Sequence, residues 1–128
     1  MPTTTAANPR RAFGDMGERL AAQHLQSKGY RIRALNHRTA EGEIDIIAER
    51  DDAIAFIEVK SRRGARMGTA IDAITPAKQR KLIALAECYA AEYTPDSALT
   101  IDVIAIDFTP DGRLLSLVHH ENAVTGDL

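Results

Sequence analysis

The chain has no tryptophan, a single cysteine and only 5% aromatic residues among its 128 positions. One thiol cannot close a disulfide within the chain. Cys88 sits among Ala and Leu in a helical pattern, where a free thiol packs as a small apolar residue, so a reducing, cytoplasmic setting is expected. No apolar run approaches the roughly 20 residues that span a bilayer. The first eight residues are polar and small without an apolar core, so neither a signal peptide nor a membrane span is expected. Also missing are a Gly-rich phosphate loop, Cys/His zinc spacing, internal repeats and low-complexity tracts. What remains is ordinary for a globular chain: 45% hydrophobic residues and a length that suits one domain over residues 1–128, with frayed or disordered ends expected at 1–9 and 122–128.

Charge of neither sign dominates, since the net value is −2, but the average hides blocks. Residues 1–40 carry +5, 41–60 carry −5, 61–81 carry +5 and 82–128 carry −7. A polyanion touching the first and third blocks, with a metal neutralising part of the second, would use this pattern. Solvated faces would produce it as well.

The acidic block contains the most informative stretch. Gly42-Glu-Ile-Asp-Ile-Ile-Ala-Glu49 and Ala53-Ile-Ala-Phe-Ile-Glu-Val-Lys60 are short runs rich in Ile and Val, joined by Arg50-Asp-Asp52, and read as a β-hairpin. Alternation places Glu58 and Lys60 on one face with Ile54 and Phe56, while Val59 points the other way. A loop centred between Asp51 and Asp52 sets Asp45 opposite Glu58 and Glu43 opposite Lys60. Carboxylates held together repel unless a proton or cation lies between them, and Mg²⁺ takes oxygen ligands of this kind.

The rest of the chain surrounds this hairpin. Residues 11–28 carry Phe13, Met16, Leu20, Ala21 and Leu25 at helical spacing, with Gly29 as the stop. Glu18 falls at the edge of the buried stripe, where it could reach a metal on the hairpin. Periodicity alone favours a surface partnership with Arg11 or Lys28. His24, near the stripe's centre, reads as a satisfied core residue. Residues 30–36 form an edge strand with one wet face, and 36–41 a polar turn. Residues 61–75, with Arg62, Arg63 and Arg66, read as a basic flexible loop. Thr75-Pro76 starts a helix to about Tyr93, with Leu82, Ile83, Ala86, Tyr89, Ala90 and Tyr93 inward. Gln79 shares that face and needs a partner. Lys78, Arg80 and Lys81 crowd the positive end of the helix dipole, a mismatch that an anionic ligand would relieve. Residues 99–108 form a central strand in which Asp102 either braces a Lys or Arg or takes part in chemistry, and residues 113–119 form a last strand.

Asp45 on one strand and Glu58-Val-Lys60 on the next resemble the PD-(D/E)xK nuclease superfamily. The wider pattern is similar to the small bacterial YraN family, predicted nucleases related to archaeal-type Holliday-junction resolvases. The matching stretches are Gly14-Asp-Met-Gly-Glu18, Gly42-Glu-Ile-Asp-Ile-Ile47, Phe56-Ile-Glu-Val-Lys60-Ser-Arg62, Thr75-Pro-Ala-Lys-Gln79, Ile101-Asp-Val103 and Glu121-Asn-Ala123. Two positions depart from the pattern: no aromatic follows Ala123, and the glycine pair before the first acid is Glu41-Gly42.

The resemblance implies a single-domain, restriction-endonuclease-like α/β fold with a mixed central sheet flanked by helices. It implies Mg²⁺ or Mn²⁺ at Asp45, Glu58 and Val59, with Lys60 orienting or activating water and Glu18 and Gln79 supporting the site. DNA would lie along Arg62, Arg63, Arg66, Lys78, Arg80 and Lys81. The expected activity is metal-dependent hydrolysis of DNA phosphodiesters, with branched DNA as one substrate class and a homodimer as one assembly. Two other classes stay open: a nucleic-acid-binding module with little or no catalysis, and a structural protein whose acids and lysine form a salt-bridge network.

Overall fold

A computed structural model describes residues 9–64, 74–93 and 96–125, with side chains from residue 15 onward in the first segment. Two helices and five strands follow in the order α1 (Pro9–Ser27), β1 (Arg31–Thr39), β2 (Gly42–Arg50), β3 (Ala53–Arg63), α2 (Pro76–Tyr93), β4 (Ala98–Phe108) and β5 (Leu114–His120). The sheet runs β1-β2-β3-β4-β5; only β3 and β4 are parallel, so the sheet is mixed. Parallel neighbours need a crossover, and α2 supplies it.

The sheet is packed on both faces. On the α1 side Ala21 and Leu25 meet Ile46, Ala48, Ile57, Ile104 and Phe108. On the other, Leu82, Leu85, Ala86 and Tyr89 of α2 meet Ile44, Ile47, Phe56, Ile101 and Val103. Covering both faces explains why β4 is buried without interruption from Ile101 to Ile106, the pattern of a central strand.

Local chemistry sets the helix ends. Gly29 takes φ 91°, which a glycine adopts without a Cβ penalty, and the Tyr30 N–H returns to the Leu25 carbonyl at 3.0 Å. At the start of α2 the Thr75 hydroxyl accepts from the Lys78 N–H at 3.1 Å, the N-cap expected from Thr75-Pro76.

Several sequence readings change. The turn read at 36–41 is a continuation of β1 to Thr39, tight only at 40–41. β3 continues through Ser61, Arg62 and Arg63, because its parallel ladder with β4 persists to Arg63–Phe108; the basic loop therefore starts later than residue 61. Arg66 lies outside the described residues. On α2, Leu85 is buried and Tyr93 is 53% exposed, so the inner face is rotated from the one read. The tail is not frayed from residue 122: Val124 is 5% exposed, and its N–H bonds the Ile101 carbonyl at 3.2 Å. Residues 126–128 and 1–8 lie outside the described set. Among the described residues no helix is long and apolar enough to cross a membrane.

Candidate functional site

The β2–β3 ladder runs from Arg50–Ala53 to Ile46–Ile57 and stops there. One step further, where Asp45 and Glu58 would pair through their backbones, the Asp45 side chain takes over. Its Oδ2 accepts the Val59 N–H at 2.8 Å. A carboxylate inserted in a ladder position wedges the strands apart, and the hairpin becomes a fork. Val59 has no backbone partner on β2, so on that side its N–H is taken by the Asp45 carboxylate while on the other it stays in the ladder with Ile104 of β4.

The other side of β2 is irregular at the same level. Asn36 on β1, opposite Asp45 in register, has φ 52°, a conformation that asparagine tolerates better than most residues. Around this point alternation resets: Ile44 packs on the α2 side and Ile46, two residues on, packs on the α1 side. The Asn36 amide, oriented to satisfy its neighbours, donates to Glu43 Oε1 at 3.0 Å and to the Glu18 carboxylate at 3.2 Å. Sequence reasoning missed Asn36; its signal was an asparagine in the middle of an alternating strand.

Glu18 approaches from α1. The helix reaches the sheet closely because Gly17 has no side chain: a Cβ there would collide with Ser61 Oγ of β3. Among the described residues Ser61 Oγ is buried without a hydrogen-bond partner, so what meets it here is packing against α1. Gly17 thus explains, in physical terms, a glycine immediately before Glu18.

Four carboxylates lie around the fork, Glu18, Asp45 and Glu58 each acted on by Glu43, and Asp45 acting on both Glu18 and Glu58, with Lys60 and Lys78 as the cations that act on Asp45 and Glu58. Burial and then repulsion from Asp45 push Glu58 up to about 7, against the opposing pull of Lys78 and Lys60. Burial also raises Asp45, offset in part by the Val59 N–H, and raises Glu18, with Asp45 adding to the effect. Lys78 of α2 pairs with Glu58, with Nζ 3.8 Å from Oε2. That contact answers the crowding of positive charge at the α2 start without an external anion. Glu43 does not pair with Lys60 as the extended register suggested; the ladder has ended, and Glu43 pairs with Arg38 at 3.7 Å.

The remaining expected site residues are spread around the fork. Gln79 lies in the first turn of α2, and its amide donates to the Ile74 carbonyl at 3.0 Å, so its partner belongs to the segment entering the helix. Arg62 is held by Asp107 of β4 at 2.9 Å and is not a loop residue. Arg63 ends β3 on the surface, and Arg80 and Lys81 are exposed on α2. A Cβ at Gly42 would lie 2.9 Å from Lys81 Cε, so the β1–β2 turn is seated against α2.

Away from the fork, Asp102 is 1% exposed and braces neither Lys nor Arg. Its two oxygens take His119 Nε2 at 2.8 Å and the Asn122 N–H at 2.9 Å. The other ring nitrogen of His119 lies 3.0 Å from Lys28 Nζ, so the imidazole bridges Asp102 and Lys28. His24 is half-buried and meets His119 edge-on with centroids 6.3 Å apart.

The profile described as "Uncharacterised protein family UPF0102" matches residues 17–106, a stretch containing the whole fork and both helical approaches to it. The chain belongs to this family. A UPF0102 protein of Symbiobacterium thermophilum is 46% identical over 105 residues, covering 81% of this chain and 89% of the relative. One from Pelotomaculum thermopropionicum is 39% identical, covering 91% and 98%. One from Chloroflexus aurantiacus is 40% identical, covering 99% of this chain and 100% of the relative.

Proposed function

We propose that this UPF0102 protein is a Mg²⁺- or Mn²⁺-dependent DNA endonuclease of the PD-(D/E)xK kind. The observation that carries the reading is the fork: a hairpin opened at Asp45–Glu58, with both acids buried enough to be raised and Lys60 one step beyond.

Among the described residues no group of three or more His, Cys, Asp or Glu side chains is gathered as a metal cage. A structural zinc site would require one. Mg²⁺ instead is commonly held by one or two carboxylates, with substrate oxygens and several retained waters completing its shell. Asp45 and Glu58, with the backbone of Val59, fit that description, and a cation would offset the burial that raises both and the repulsion from Asp45 that adds to it at Glu58. Bound there, the ion supplies a more acidic water and stabilises charge on the phosphate.

The chain's own residues do the rest. Asp45 is oriented by the Val59 N–H, which fixes one oxygen and leaves the other for the opening. Lys60 places a cation beside both acids, where it can hold a phosphate oxygen and the attacking water together. Glu18, turned inward by Asn36, can accept a proton at the α1 side of the fork. Lys78 bridges Glu58 to the α2 surface, where Arg80 and Lys81 offer charge to the phosphate backbone.

Linear, nicked, flapped and four-way-junction DNA, incubated with Mg²⁺ or Mn²⁺, tests the reading. Cleavage of at least one substrate that disappears with EDTA and in Asp45→Asn supports it. A purified protein that binds DNA and cuts none of the four supports the non-catalytic binding module instead.

A further inference from the structure

We propose that the groove between α1 and β1 receives one nucleobase of the bound strand, turned out of its stack beside the phosphate at the fork. This deepens the nuclease reading and rests on it.

The groove has a volume of about 380 Å³ and is walled by Asp15, Glu18, Arg19, Ala22 and Gln23 of α1 and by Leu35 and Asn36 of β1. That volume lies within the range of small-ligand sites. The spacing of Asp15, Glu18, Arg19 and Ala22 follows one stripe of the helix, and small Ala22 leaves room behind the rim. Leu35 is 54% exposed on the sheet's edge strand and faces this groove with its apolar side chain.

The chemistry suits a planar ring with polar edges. Ala22 and Leu35 offer apolar surface to a ring face, while Asp15, Gln23, Asn36 and Arg19 set acceptors and donors at its rim. An inorganic anion finds two carboxylates in the wall and is poorly matched. A base carries no charge and has amino and imino donors that carboxylates accept.

Continuity with the fork selects a nucleobase over an unrelated small molecule. Glu18 and Asn36 belong to both places: Asn36 donates to Glu18 in the groove wall and to Glu43 at the fork. Glu18 of the groove wall also acts on Asp45 at the fork, so a strand held at Asp45 would bring a neighbouring nucleoside to the groove mouth. Only a base free of its partner can enter, because the duplex buries base edges and faces. The substrate class is DNA with unpaired or easily unpaired bases next to the cut, and bases rich in donors, guanine above all, are favoured over thymine.

The test uses single-stranded oligonucleotides carrying 2-aminopurine, whose fluorescence rises on unstacking, at successive positions. With the full protein, one position is expected to brighten several-fold on binding. An abasic site at that position is expected to weaken binding about tenfold, the effect of losing one stacked base. Leu35→Trp, at an exposed position, fills the groove and should abolish both the brightening and the difference between base and abasic strands. Gln23→Ala, a milder change on the exposed rim, should reduce the preference for guanine over thymine. Binding and cleavage with no brightening at any position overturn the groove and leave the nuclease reading standing. Failure of every oligonucleotide to bind likewise overturns the groove, while the nuclease reading stands or falls on cleavage of the duplex and branched substrates.

Discussion

Glu58 and Asp102 lie almost side by side in the sheet, since Asp102 pairs with Ile57 and Glu58 with Val103 across the parallel ladder, yet they point to opposite faces. Both are acids in a protein interior, and their surroundings differ completely. Asp102 has a partner for each oxygen, in His119 and the Asn122 N–H, and sits within a relay to Lys28. Glu58 has one cation at 3.8 Å, another acid across the fork and a side chain 12% exposed. Burial alone does not mark a functional acid. A fully satisfied one holds β4, β5 and the turn after it together, whereas a poorly satisfied one at an opening is poised to take a cation.

The largest effects should separate the two. At the fork, Asp45→Asn and Glu58→Gln are expected to lose cleavage on the order of 10³-fold, because a metal ion supplies several kcal/mol to the transition state. Calorimetric titration should show Mn²⁺ binding lost with it, while metal-free stability stays level or rises. Lys60→Ala should keep much of the metal affinity and lose cleavage, since on the nuclease reading the lysine would act on phosphate and water rather than on the ion. Asp45→Asn that binds Mn²⁺ and cuts like the parent would return these residues to a structural salt-bridge network.

Asp102→Ala should do the reverse. Removing one partner of a buried, hydrogen-bonded set leaves His119 Nε2 and the Asn122 N–H unpaired, at a cost of roughly 3 kcal/mol. Urea denaturation reads that loss directly. If unfolding is unchanged and cleavage is abolished, the contrast between satisfied and unsatisfied acids fails.

The hairpin with its two acids and lysine was legible because a strand period of two and a short polar break fix facing residues. The N-cap at Thr75 and the stop at Gly29 were legible for the same local reason. What escaped depends on departures from regularity. Asp45 breaks the ladder that was used to place Glu43 opposite Lys60, and Asn36 resets the alternation of an edge strand. Arg62 looked like a loop residue because nothing local announces a parallel ladder; its partner Asp107 is 45 residues away. Asp102 was legible as buried, but its histidine partner comes from another strand and no spacing predicts the pair.

A smaller effect concerns acidity. Glu58 is held near 7 in the folded chain against an ordinary value of 4.5, so the folded state binds this proton more tightly than the unfolded state. Its contribution is complete below about pH 4.5 and is lost as pH rises through about 7, a change of roughly 3 kcal/mol. In EDTA, the parent should therefore lose stability across that window beyond what Glu58→Gln loses. Equal slopes for parent and variant would mean that Glu58 is solvated and the fork is not a strained pair.

The smallest effect divides two neighbouring cations of α2. On the proposed nuclease reading Lys78 would have two roles, facing Glu58 with its ammonium and offering charge to a bound strand, whereas exposed Arg80 would have only the second. Losing a phosphate contact should flatten the log–log salt dependence of duplex binding by about 0.9 for either residue. Lys78 also lowers the Glu58 pKa, so Lys78→Ala should push that carboxyl further up and move the acid limb of the cleavage profile to higher pH. Arg80→Ala should leave the limb in place. Salt titrations with pH–rate profiles for both variants decide the matter: a limb that moves equally in both, or in neither, removes Lys78 from the fork and leaves it a surface contact.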